Sequence, residues 1–558
     1  MHRIGLFAEK GDFAAMTAST PSDSPDRTDY QSLDNYLSAL WNDWQSTSSP
    51  LPLGIEIIRR DNQTHIAITP LIPDKPVGGK TYVHESSTEL LEELNLVRGA
   101  RWISADLLAV ATTLAESGVR LQSGLCLQLA ERTLAVPASG ATLAERYSVV
   151  CERVAGSEQR ERLSTLLHLD SACALLAAEM NAGGVPWCST TYRTVMADVL
   201  SSPMENDPYP RLAALDREIA NEFGGARFNW RKELADAFDG EGILIPSSRL
   251  ADLMDVEHPV VPLVQEWRKL DALASRHGYD WAEHWVRDGR WWPLFRPVGT
   301  PSGRWAGEGG ALQLPLRLRP CVRVGPGRML LCANLAQLEP RMWAHLSQDA
   351  NLVEATARGD LYSSAADQLG VEREVAKRAV LAGIYGDYSP ASRHTTRLLI
   401  SRFPQAMQYL HRAVALGSNG MVVSTGLGRA CPAADELVVA AQAIPWSERT
   451  PLQRKAVNRR SRQLRNFPVQ GGAAELACAI AVGIRTALRD RDARLVMFCH
   501  DEFLIDAALG QIDEIEQSLP DIVRTAVKRV LGSSPVSWPL VIGRGRSWAE
   551  AGKQSAVG

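Results

Sequence analysis

Leu495-Val496-Met497-Phe498-Cys499-His500-Asp501-Glu502-Phe503-Leu504-Ile505-Asp506 is the stretch on which the fold turns. Two apolar runs of strand character flank an acidic turn, which predicts a β-hairpin with adjacent carboxylates at its tip. Hard cations such as Mg²⁺ take oxygen ligands and keep several waters, so such a tip suits a metal that also meets phosphate. Taken alone, the tripeptide His500-Asp501-Glu502 reads equally as a plain polar turn.

Two upstream segments carry related chemistry. Asn334-Leu335-Ala336-Gln337-Leu338-Glu339-Pro340-Arg341 follows the buried run Leu330-Leu331-Cys332-Ala333 and opens a helix. Glu339 could face a pocket there, or simply favour the positive helix start. Arg373, Lys377, Leu381 and Tyr385 recur every fourth residue, which on a helix forms one slowly drifting stripe. Two cations, an apolar contact and an aromatic can hold a triphosphate and meet a base. The same stripe also reads as a solvated basic face running into the core.

The whole chain sets the bounds. Its 558 residues predict three to five domains or subdomains, at roughly 100–200 residues each. A formal net charge of -4 excludes a uniformly basic coat protein but allows one basic face. No uninterrupted apolar run approaches the roughly 20 residues of a membrane span, and the first ten residues lack the apolar core of a signal peptide. Nine scattered cysteines without a CxxC pair argue against a zinc site and for reduced thiols in the cytoplasm.

Residues 17–50 are rich in Ser, Thr, Asp and Pro and read as a loop or linker. From about 52 to 145, strand-like runs (Ile55–Ile58, Thr64–Ile68) precede helical runs such as Ala105–Leu114, predicting a small α/β domain. From 146 to about 290 the pattern is almost wholly helical, with Gly183-Gly184 as one helix stop. Beyond 296 strands and helices alternate, and no fixed-period repeat is present.

In this order the segments resemble motifs A, B and C of the family A DNA polymerases, the DNA polymerase I family. Motif A there reads roughly DYSQIELR, followed by LAHLSGD; residues 334–341 read NLAQLEPR and residues 343–349 WAHLSQD. Motif B, RxxxKxxxFxxxYG, differs only in Leu381 for Phe, and the HDE of motif C is intact. Thr300-Pro301-Ser302-Gly303-Arg304 resembles the TxTGR segment, Leu312-Gln313 the LQN segment and Asp360-Leu361-Tyr362 the D-[IL]-H segment. Arg462, Asn466, Pro468 and Gln470-Gly471 match RxxxNxPxQG, and Gly545-Arg546-Ser547-Trp548 resembles the terminal GxxW. The resemblance covers residues 150–558.

It implies an α/β multidomain right hand: a thumb at 146–295, a palm at 296–345 and 466–558, and fingers at 346–465. A primer 3′-hydroxyl would attack the α-phosphate of a dNTP, with two Mg²⁺ ions (Mn²⁺ as a substitute) clamping the attacking and leaving oxygens. By resemblance, Asp501, Glu502 and Asn334 stand at the metals. Arg373 and Lys377 hold the triphosphate, and Lys377 is the proton donor to pyrophosphate. Gln337, Leu381, Tyr385 and His500 border the nucleotide and primer terminus, and Glu339 is the gate against a ribose 2′-hydroxyl. Arg304, Gln313, Arg462, Asn466 and Gln470 contact primer–template DNA. The acid-free basic run at 454–465 fits a phosphate-facing surface. The resemblance further implies a monomer without membrane contact, working at the nucleoid in replication or repair.

Two departures matter. The family has Asp where this chain has Asn334, so the metal site loses one unit of charge, and slowed synthesis is expected. The alternative is a lapsed polymerase that binds primer–template without extending it; Glu339 and motif B disfavour a reverse transcriptase or RNA polymerase. Residues 1–145 occupy the position of the family's 3′–5′ exonuclease but lack its DxE, and Asp106 is the sole acid in a suggestive helical setting. A vestigial exonuclease-like α/β domain without proofreading is expected, and no 5′-nuclease domain.

Overall fold

A computed structural model describes residues 51–555, apart from 61–62, 72–81, 98–99, 137–141, 224–229, 244, 246–252, 254–255 and 388–392. The proposed linker at 17–50 lies outside the described residues.

The first layer is a sheet of β1 (Leu51–Arg60), β2 (Gln63–Pro70), β3 (Tyr82–Glu85), β4 (Ala100–Ser104) and β5 (Gly124–Cys126), in the order β3-β2-β1-β4-β5. Strands β1 to β3 pair antiparallel, whereas β4 and β5 continue the sheet in parallel from β1. Leu53, Ile55, Ile66 and Ile68 are buried, as expected where β-branched and aliphatic side chains cover a sheet face. Asp106 caps the helix Leu107–Glu116 by accepting the Ala109 N–H at 3.1 Å. The suggestive acid thus satisfies an orphan backbone donor.

Helix α1 (Arg160–Gly183) ends at Gly184, whose φ of 58° suits glycine. It has no polar face because it is wedged between cores: Ala174, Leu175 and Ala178 pack with the N-terminal sheet, while Cys173, Leu176 and Met180 face the main core. The helical region that follows also contains a small sheet, Val185–Pro186, Val286–Arg287 and Arg290–Trp291, which periodicity did not reveal in such short runs.

The sheet that carries the site consists of β6 (Arg328–Leu335), followed by helices α2 (Leu338–Ser347), α3 (Arg373–Tyr385) and α4 (Pro451–Ala487), and then β7 (Ala493–Cys499), β8 (Glu502–Ala508) and β9 (Leu540–Gly545). Its order is β7-β8-β6-β9, antiparallel throughout. Helix α5 (Trp548–Ser555) closes the described chain. Helix α4 starts at a capping box between Thr450 and Gln453, with Pro451 in its first turn. Its 37 residues run unbroken across the expected fingers–palm boundary at 465/466. Helices α1 and α4 are long and apolar enough to cross a membrane, which a search for uninterrupted apolar runs does not register; both are mostly buried inside the protein.

One buried charge cluster fastens these parts. Arg429 reaches Asp170 of α1 at 2.7 Å and Glu475 of α4 at 3.5 Å. Thr425 Oγ1 donates to Glu475 at 2.6 Å, and Thr133 Oγ1 to Asp170 at 3.2 Å. Burial pushes the Glu475 carboxyl up to about 7. Arg429→Met should strand two buried carboxylates and cost roughly 3–5 kcal/mol, read as a lower urea midpoint. Because the native Glu475 value lies above its unfolded value, the stability tied to its proton is present at low pH and lost as pH rises through 7. The variant's deficit should therefore be larger at pH 8 than at pH 5.5.

Candidate active site

The hairpin forms as read. Cys499 pairs with Glu502, leaving His500 and Asp501 as the turn. His500 takes a φ of 59°, a left-handed conformation that histidine tolerates better than most residues. Strand β6 lies beside the hairpin, with Asn334 opposite Glu502, and the Leu335 N–H donates to the Asp501 carbonyl at 2.9 Å. Asn334 and Asp501 are thereby neighbours across the sheet end. Burial, with a smaller push from the Glu502 charge, raises the Asp501 carboxyl to about 6. Burial and the Arg304 charge lower the His500 imidazole.

Glu502, expected among the metal ligands, is buried and hydrogen-bonded by protein partners. Arg319 donates to both carboxylate oxygens at 2.9 Å, Trp548 Nε1 donates at 2.6 Å and Cys332 Sγ at 3.1 Å. The Arg319 guanidinium also stacks 4.1 Å from the Trp548 ring centroid. Oε1 accepts three of these bonds and Oε2 one, so Glu502 anchors the hairpin to Arg319, Trp548 and Cys332.

A cleft of about 240 Å³ opens at the hairpin tip, lined among others by Arg304, Gln337, Glu339, Leu381, His500 and Asp501. Residues from all three segments meet there. Glu339 is ion-paired with Arg304 and accepts the Tyr385 hydroxyl at 2.6 Å. The residue expected to gate the sugar and the one expected to border the base form one unit. Tyr362 lines the same cleft, and burial pushes its hydroxyl up to about 12.

Helix α3 carries the predicted stripe, yet its two cations already have partners. Arg373 pairs with Asp360 at 2.7 Å and Glu374 at 2.8 Å, and Lys377 lies 3.6 Å from Glu374. Burial alone would raise the Asp360 carboxyl, but the bonds from Arg373 and Ser363 hold it below the ordinary range. Asp360 also accepts from the Gln337 amide. The Gln337 carbonyl accepts the Leu361 N–H at 3.0 Å and an Arg341 N–H at 3.1 Å, so this residue of the cleft wall has both ends of its amide engaged by protein partners. Arg341 is fully buried and donates to the carbonyls of Ala336 and Thr356, both at 2.9 Å, and of Ser537 at 2.8 Å.

The residues expected on DNA lie outside the cleft, Arg304 excepted. Gln313 and Arg462 are exposed. Asn466 is buried with its side-chain carbonyl unpartnered, and Gln470 accepts the Ser302 hydroxyl at 2.6 Å. Arg465, at the end of the basic run, is buried and bonded to the Gly383 carbonyl at 2.6 Å, so it cannot face phosphate. Arg319 and Arg429 carried no local signal, since their partners lie 183 and 259 residues away. Arg341 and Asp360 stood inside recognised segments, and their acid–base or carbonyl partners could have been sought.

The donor set fits two divalent cations poorly. Among the described residues no three His, Cys, Asp or Glu side chains converge as a metal cluster. Asp501 brings one carboxylate and Asn334 beside it a neutral amide, while Glu339 is neutralised by Arg304 and Glu502 by Arg319. Hard dications are held chiefly by anionic oxygens.

Comparisons with known proteins agree with this assembly. The family model "DNA polymerase family A" matches residues 239–550. The DNA polymerase theta of Caenorhabditis elegans is 25% identical over 327 residues, 55% of this chain and 19% of that protein. The DNA polymerase I of Chloroflexus aurantiacus is 26% identical over 334 residues, 54% of this chain and 34% of the relative. The thermostable DNA polymerase I of Thermus filiformis is 28% identical over 327 residues, 53% and 37% respectively. The matched region thus spans well under half the length of these relatives. Among solved structures, the POL domain of Pol1 from M. smegmatis, in complex with DNA primer-template and dNTP, aligns with a TM-score of 0.69 at 19% identity, covering 94% of this chain and 100% of that one.

The buried turn predicts a trade of stability for charge. The native Asp501 value lies above the unfolded one, so ionisation of this carboxyl destabilises the protein as pH rises through 6. Asp501→Asn should stabilise the metal-free protein by on the order of 1–2 kcal/mol at pH 8 and by little at pH 4.5. Thermal melts of both proteins at the two pH values read this directly.

Proposed function

The chain belongs to DNA polymerase family A, and from that premise we propose that it is a DNA-directed DNA polymerase. It would add dNTPs to a primer 3′-hydroxyl as its template directs. The observation that carries this reading is the single cleft in which Glu339, Leu381, His500 and Asp501, from three distant segments, come together beside Arg304.

The chain's own residues suit each task. Arg373 and Lys377 are exposed cations on α3, able to exchange Asp360 and Glu374 for a triphosphate. Leu381 offers an apolar wall and Tyr385 an aromatic edge, while Glu339, fixed by Arg304 and Tyr385, narrows the space beside the sugar. Ser302 orients Gln470, and Arg462 is exposed for phosphate. Family A polymerases generally use divalent metal ions. Here they meet a site one carboxylate short, so synthesis is slow, as in gap filling during repair or replication by a monomer at the nucleoid. The order β3-β2-β1-β4-β5 supports an exonuclease-like origin for the N-terminal layer. Gly54, beside the exposed Glu56, has Leu143 so near that an added Cβ would lie 2.7 Å from it. An acid at position 54 would have to displace the Leu143 side chain, and the first strand carries none there, which supports the reading without proofreading.

Asn334 favours a second reading, a lapsed polymerase that binds primer–template without extending it. Single-nucleotide extension of a labelled primer–template, with Mg²⁺ and with Mn²⁺, separates the two. Extension that Asp501→Ala abolishes is expected. Tight binding without extension in either metal would sink the enzyme reading. Asn334→Asp should raise the extension rate by about tenfold or more, since restoring one anionic ligand need supply only ~1.4 kcal/mol of transition-state stabilisation. An unchanged rate would show that charge at this position is not what limits the reaction.

A further inference from the structure

Between the Arg429 cluster and helix α4, the chain presents an aromatic that no role above uses. Trp446 is 49% exposed, and among the tryptophans whose side chains are described it alone lies largely in solvent. It is not loosely held. It begins a short 3₁₀ turn, Trp446–Glu448, directly before α4. The guanidinium of Arg449 lies 5.2 Å and that of Arg454 5.9 Å from its ring centroid. Both arginines are pinned to the same turn: Arg449 donates to the Ile444 carbonyl at 2.9 Å, and Arg454 to the Ser447 carbonyl at 2.9 Å.

Glu448 is exposed in the same turn, but the helix that follows is basic: from Arg449 to Ala474 the sequence has seven basic residues and no acid, on a chain of net charge -4. Lys455, Arg459 and Arg462 are exposed and spaced four and three apart, so they share one face of α4. The exposed cations span roughly 10 Å along the helix axis, at 1.5 Å per residue, and beyond them the same face passes into the protein at Asn466. Asp435 lies 3.3 Å from Arg459 in an exposed pair worth little, and Glu448 is exposed just before the helix start.

We propose that Trp446, with Arg449 and Arg454, is a stacking platform for an unpaired base of single-stranded nucleic acid, the far end of a phosphate track along α4. The inference rests on the polymerase reading, which brings primer–template to the other end of that track. A base can stack on an aromatic ring or on a guanidinium lying over one, and the phosphates that follow it need the exposed cations of α4. An unpaired template overhang is the form of nucleic acid that offers both a free base face and continuity with a duplex.

The test is equilibrium binding of fluorescent primer–template in two forms, blunt-ended and with a template overhang of about twelve nucleotides. The full chain should prefer the overhang form. Trp446→Ala should weaken overhang binding roughly fivefold or more while leaving the blunt duplex unchanged. Trp446→Phe should keep most of the preference, which a merely structural role would not require. Equal binding of both forms by the unaltered protein, or an overhang affinity that Trp446→Ala leaves intact, overturns the platform while sparing the polymerase reading. Failure of the unaltered protein to bind either DNA overturns both.

Discussion

The buried carboxylate of Glu502 is the constraint from which the site is built. It stands at the first residue of β8, faces Asn334 on β6, and is gripped by Arg319, Trp548 and Cys332. Three stretches of chain, around residues 319–334, 502 and 548, therefore meet at one group. A buried charge is tolerable only when its partners are in place, since an unpaired one costs several kcal/mol. These bonds, with that from the Leu335 N–H to the Asp501 carbonyl, hold the hairpin tip on which the Asp501 side chain stands. The C-terminal helix matters for the same reason: its first residue supplies one of the bonds.

Around that fixed point the functional side chains form opposite-charge pairs. Arg304 holds Glu339, Asp360 holds Arg373, and Glu374 lies near both Arg373 and Lys377. Internal carboxylates balance these cations, and on the polymerase reading proposed above a triphosphate would have to compete for the same donors. The exposed pairs on α3 are weak and screened by salt, so exchange is cheap. The Arg304–Glu339 pair is less exposed and also tied to Tyr385, and it persists as part of the wall.

Much of this was legible in the sequence because it is local. The apolar runs around His500-Asp501-Glu502 specify a hairpin, and the four-residue spacing from Arg373 to Tyr385 specifies a helical stripe, whatever lies elsewhere. Side-chain partners were not legible. Neither Arg319 for Glu502 nor Asp170 for Arg429 leaves a pattern, because the choice among sixty basic and sixty-four acidic residues is made by tertiary packing. Burial overrode composition at Arg465, which sits in a basic run but points into the core. The 465/466 boundary followed a functional division, whereas the backbone follows helix energetics and continues through it.

Helix α4 contains Pro468, two residues before Gln470. Proline has no N–H to give the carbonyl four residues back, that of Leu464, and its ring crowds the same carbonyl. The long helix is thus a strut with one weakened joint, set between the cationic outer half and the glycine- and alanine-rich half that forms the floor of the cleft. Bending concentrates at such a joint. A load of DNA on the outer half would be felt at the cleft floor as a change of tilt about Pro468, not as a stretch along the helix.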